Sequence, residues 1–128
     1  MPETKKTKAA KLRAVEGQVH QFDVPGEMTG LLQRVRGNKS KRTTGVLIKT
    51  GPLRTEVIAF DEGGELRDQK VDAPFTIQCL IGRVVVSVQG RDHRLSTGDL
   101  LVVDAGVPYD VTAQELSALL VTVAAAKG

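Results

Sequence analysis

The chain has 128 residues, 41% of them hydrophobic, 26% charged and 3% aromatic, with a formal net charge of +3. That length fits one domain and excludes two β-barrels, and so few rings exclude a platform for stacking bases or sugars. The charge is uneven: residues 1–54 carry 12 Lys or Arg against 4 Asp or Glu, while residues 55–128 carry 6 against 11, so an anionic partner would meet the first half.

Residues 1–15 are Lys-rich and lack a sustained apolar period, which predicts a flexible basic arm ahead of a single domain over 16–128. AAKLRAVE could form one helical turn there. The lysines are not followed by the apolar stretch of a secretory signal. The longest apolar run, ALLVTVAAA, is far shorter than the roughly 18 residues of a membrane helix. With Cys79 as its one cysteine the chain has no intrachain disulfide, and a cytoplasmic protein with no membrane partner is expected.

VHQFDV, Val19 to Val24, alternates in the manner of a short edge strand, with His20 half-buried beside Phe22. Pro25 and Gly26 then open a helix, EMTGLLQRVRG, in which Met28, Leu31, Leu32 and Val35 form one apolar stripe and Gly37 is the C-cap. GNKSKRTT, from Gly37 to Thr44, is a basic loop and the best candidate for an exposed positive patch.

From Gly45 the period changes to two. GVLIKTG and PLRTEVIAF read as strands broken at Gly51 and Pro52. In the second, Arg54 and Glu56 share a face with Ile58 and Phe60, so the pair either lines one end of a barrel or stands exposed. A strand with Phe75, Ile77 and Cys79 on one face follows, then RVVVSVQGRDHRL as two strands about a Gly90 turn. GDLLVVDAGVPYDVTA turns between Asp104 and Pro108, and LSALLVTVAA closes the sheet. Short strands at intervals of about 8 to 12 residues mark an all-β sandwich or barrel.

The stretch from Gly63 to Ala113 resembles the two signature motifs of the cupin superfamily. The first motif reads Gly, five residues, His, one residue, His, three or four residues, Glu, six residues, Gly; Gly63 and Gly82 hold its ends. Its ligand slots fall on Gln69, Val71 and Phe75. Gly98 and Gly106 keep the register of the second motif, whose Pro, His and Asn slots hold Asp104, Tyr109 and Ala113. The closing segment is similar to that of small single-domain bacterial cupins, with Pro108-Tyr109 where a Pro-His pair is usual. The resemblance implies a double-stranded β-helix (a jelly-roll barrel of RmlC-like type) with a short N-terminal helix, and a homodimer using the Val19 to Val24 strand or the LLVTV segment.

In that family three histidines and a glutamate hold a divalent metal. Here Gln69, Val71, Phe75 and Tyr109 would meet instead. Val71 and Phe75 offer no lone pair, Gln69 is a weak neutral donor, and Tyr109 must first lose a proton with a pKa near ~10. No metal and no other cofactor is expected. The site is then either ordinary packing, with Phe75 filling the space, or a mostly apolar pocket in which Gln69 and Tyr109 orient a small organic molecule. Such a pocket, or a structural or regulatory role, is the first functional expectation. An isomerase or lyase using Tyr109 as proton donor is the second, and would need His93 or Glu56 as base. An adaptor for anionic partners through the basic half is the third. Nucleic acid is not the expected partner, because the basic residues are scattered over arm, helix and loop. Cys79 lies mid-strand without a neighbouring histidine and reads as an inert core thiol; His93 reads as structural, facing the interior or the rim.

Overall fold

The computed structural model describes residues 18–125; the basic arm of residues 1–15, with its expected helical turn, lies outside them. Asp23 starts the first element. Its carboxylate accepts the Gly26 N–H at 3.1 Å, Pro25 presets φ in the first turn, and helix α1 runs Val24–Val35. Arg34 stands in the last turn, where a cation suits the helix dipole. The C-cap is Arg36, already extended at ψ 125°, and Gly37, expected at the cap, follows one residue beyond it at φ 74°.

The expected strand over Val19 to Val24 does not form. Val24 is already helical, Val19 is 87% exposed, and His20 stands in solvent rather than half-buried. A strand needs a neighbour to take its backbone hydrogen bonds; here residues 19–23 take no regular structure, and the Asp23 cap and Pro25 start the helix at Val24. No helix among the described residues is long and apolar enough to cross a membrane.

Nine strands follow among the described residues: β1 Arg42–Thr50, β2 Leu53–Phe60, β3 Glu65–Gln69, β4 Phe75–Ile81, β5 Arg83–Val88, β6 Arg91–Ser96, β7 Leu100–Val103, β8 Tyr109–Ala113 and β9 Ser117–Ala124. They build two antiparallel sheets, ordered β1-β2-β9-β4-β7 and β3-β8-β5-β6. The fold is thus all-β with one short helix, as the periodicity predicts. The basic loop after α1 is shorter than expected, because Arg42, Thr43 and Thr44 pair with Phe60, Ala59 and Ile58 and so belong to β1.

The inner faces of the two sheets make the main core. Phe60, Phe75, Ile77, Cys79 and Leu119 from one sheet meet Val84, Val86, Tyr109 and Val111 from the other, each such burial worth about 1.5–3 kcal/mol for a large side chain. Helix α1 covers the outer face of the larger sheet, setting Leu31 and Val35 against Leu47, Val57, Ala59 and Ala118. Both faces of β2 are therefore dry, which is why Val57, Ile58, Ala59 and Phe60 are all buried in succession. A bulge between Val46 and Ile48 breaks the pairing of β1, and Leu47 packs into the helix side of the sheet.

Strand β9, which carries the LLVTV segment, pairs with β2 on one side and β4 on the other. It has no free edge, and Leu120 on its outer face packs with the helix cluster. Neither of the two segments expected to make a dimer contact is thus an open strand.

Candidate functional site

Strand register sets the barrel end. On the smaller sheet Tyr109 pairs with Gln69 on β3 and with Val88 on β5. On the larger sheet Phe75 pairs with Val123 on β9 and Val103 on β7. The two rows face each other, and the rings of Phe75 and Tyr109 meet with centroids 5.0 Å apart and planes tilted by 41°, within the range of favourable aromatic pairs. Phe75 is 2% exposed and Tyr109 8%. A ring lining a space wide enough for water would show surface to it, so the end of the barrel is filled at this point. Val71 packs against the same cluster.

Gln69 behaves differently. It stands opposite Tyr109 in register, but its Nε2 donates to the Arg67 carbonyl at 2.8 Å, and the residue lines a surface groove with Lys41, Arg42 and Arg67. The register of β3 shifts between Leu66 and Gln69, Asp68 sits at φ 55°, and its N–H donates to Asp110 Oδ1 at 2.7 Å. The structure therefore brings Phe75, Tyr109 and Val71 together, and ties the amide of Gln69 to its own strand.

Burial raises the Tyr109 phenol above its ordinary value, and the negative charge of Glu56 raises it further. The hydroxyl has no hydrogen-bond partner among the described residues. Glu56 itself lies on the inner face of β2 and accepts from Arg54 Nη2 at 3.0 Å; its side chain is 17% exposed against 48% for Arg54. The two placements open to this pair in the sequence are divided between its members: Glu56 stands at the barrel end near Tyr109, while Arg54 is exposed. Step-two alternation on β2 signalled the face; the approach of Glu56 to Tyr109 is set by how the sheets stack, which no local pattern records.

The residues in the ligand slots do not fit a divalent ion. Such ions take several strong donors at about 2 Å. Here the space is occupied by two packed rings, the amide is engaged elsewhere, and burial holds the phenol in its protonated form. Among the described residues there is no group of three or more His, Cys, Asp or Glu side chains placed to hold a metal.

His93 is half-buried on β6 and pairs with Val86. Two strands, β6 and β8, flank β5, so His93 is about 10 Å across the sheet from the Tyr109 strand. It is no proton partner for that phenol. Cys79 is fully buried, and its thiol is pushed up by desolvation and then by Asp99, as an inert core thiol should be.

Two antiparallel sheets closed around an apolar interior define the class as a jelly-roll barrel. The chain is similar to a cupin superfamily protein from Desulfitobacterium hafniense, with a TM-score of 0.67 and 14% identity over 74% of this chain and 87% of that one. It is also similar to an RmlC-like cupin from Shewanella frigidimarina, with a TM-score of 0.64 and 21% identity over 70% and 80%. KdgF from a Halomonas species matches at 0.62 and 20% identity, over 68% and 82%. No protein-family model matches the chain, and no curated protein matches it in sequence. The fold is the cupin fold, as the glycine frame from Gly63 to Gly106 led us to expect.

Proposed function

We propose that this is a metal-free cupin-fold protein that acts by binding rather than by catalysis. The observation that carries the metal-free part of the reading is the contact of Phe75 with Tyr109, buried and ring against ring, in the place where the fold's metal ligands would converge; any ligand is then met outside the filled barrel end. Around it, Val71 and Phe75 supply an apolar wall, and Tyr109 offers one unpartnered hydroxyl beside the Arg54 and Glu56 pair. A small organic molecule would be met there by a polar rim over a closed floor, with Gln69 at its margin.

Elemental analysis tests this directly. Protein exposed to Mn, Fe, Ni and Zn and then desalted should retain less than about 0.1 equivalents of each per chain, because one phenol and one amide do not make a tight site. Stoichiometric retention that Tyr109→Phe removes would overturn it.

A second reading, an isomerase or lyase with Tyr109 as acid, takes the nearby Glu56 as its base, although burial and that same charge raise the phenol and make it a weaker proton donor. It requires Glu56 to leave Arg54 and act as base. Turnover lost in both Tyr109→Phe and Glu56→Gln would establish it in place of the first.

We propose further that the protein is a homodimer. Leu100 and Val102 support this: they are 57% and 64% exposed on β7, the edge strand of the larger sheet.

A further inference from the structure

We propose that the protein has a binding site for a small phosphorylated ligand outside the barrel, in the groove where strands β1 and β3 approach each other. These two are the edge strands of different sheets, and Arg42 bridges them by donating Nη1 to the Glu65 carbonyl at 2.9 Å. The space between them is about 330 Å3 and is lined by Lys39, Lys41, Arg42 and Arg67. That volume is at the small end of the range for ligand sites.

The groove carries more positive than negative charge, although Asp61 lies near Lys41, and Asp68 and Asp110 near Arg67. Glu65 is the one carboxylate among the described residues that line it, and Arg67 already holds it through Nε at 3.0 Å and Nη2 at 3.4 Å. Neither lysine has an ion pair among the described residues. Arg42 uses one nitrogen on the Glu65 carbonyl, which orients the guanidinium and leaves the rest of its fork for an anion.

Lys41 is placed by the backbone. It sits at φ 60°, a conformation uncommon for side chains with a Cβ. Its N–H donates to the Asn38 carbonyl and its own carbonyl accepts from Asp61, each at 3.0 Å. Its ammonium reaches across bare Gly63, 3.6 Å from where a Cβ would stand. A Cβ there would make only ordinary contact with the ammonium, and it is the φ of 83° that calls for glycine at this turn.

Four cations, one occupied carboxylate and no aromatic lining select a compact polyanion. A phosphate or pyrophosphate group meets that description; a single-stranded nucleic acid would call for rings on which to stack its bases. The site shares only Gln69 with the barrel end, so a metal found between the rings there would leave this proposal standing.

The test is calorimetric titration of the full chain with inorganic pyrophosphate at low salt, comparing wild type, the double variant K39Q/K41N and the control K49Q. Asn suits the positive φ at residue 41, and Lys49 is exposed at the far end of β1. We expect saturable binding of one pyrophosphate per chain, weakened tenfold or more in K39Q/K41N and unchanged in K49Q, with equal melting temperatures for wild type and control. If the double variant melts early, K39Q alone should still weaken binding severalfold. No saturable binding by wild type, or equal binding by all variants, would overturn the proposal. So would tighter binding of single-stranded RNA than of pyrophosphate, which would make the groove part of a nucleic-acid surface.

Discussion

Phe75 fills the barrel end, and removing its ring should be costly in a recognisable way. The side chain is 2% exposed and touches Tyr109 ring to ring, so Phe75→Ala should lower the free energy of unfolding in urea by about 3–5 kcal/mol. Part of that loss should be recovered when benzene or xenon occupies the new cavity; a loss under about 1 kcal/mol would mean the ring is not packed as described. The neighbouring frame residue Gly82 shows why a motif can be legible when its chemistry has changed. It stands at φ 92°, and an added Cβ would strike Ser117 Oγ and the Leu116 carbonyl. Ser117 is fully buried with its hydroxyl donating to Glu115 O at 2.7 Å, so it has no room to withdraw. A requirement of that kind is written in residue identity. The turning of Gln69 is not, since it depends on the shift in β3 at Asp68, whose positive φ nothing nearby in the sequence announces.

Among the elements, long periodic runs could be read and short ones could not. β4, with Phe75, Ile77 and Cys79 buried in alternation, and the β5-β6 hairpin about Gly90 follow their sequence patterns. The six residues from Val19 to Val24 carry an equally regular alternation, but residues 19–23 take no regular structure and the Asp23 cap starts the helix at Val24. Pattern also places Leu100 and Val102 on one face of β7 without saying that the face is uncovered, because helix α1 shields only the β1, β2 and β9 side of that sheet. Exposed apolar residues on an unpaired edge invite a second strand. If they make the proposed dimer contact, Val102→Lys should give a monomeric mass by light scattering where wild type gives a dimer. The thermal midpoint of the isolated chain should barely move, since surface changes usually alter stability by less than about 0.5 kcal/mol. A monomeric wild type would remove the dimer.

The stability of the whole molecule should fall on the alkaline side through its buried acids. Burial raises both the Cys79 thiol and the Tyr109 phenol, with Asp99 and Glu56 adding to the respective shifts. For a group whose folded pKa lies above its unfolded one, the folded chain holds the proton longer. The stabilisation is complete below the unfolded pKa and is lost as pH rises through the folded value. The decline should therefore start near about 8.5, where an unfolded thiol ionises, and steepen from about 10, where an unfolded phenol does. Tyr109→Phe should flatten the second part and leave the first. The chain has one tyrosine and no tryptophan, so phenolate absorbance reports Tyr109 alone. Its midpoint should lie above about 10 in the folded protein and return to that value in urea. Equal midpoints in the two states would place the phenol in water, and the packed barrel end on which the metal-free reading rests would have to be given up.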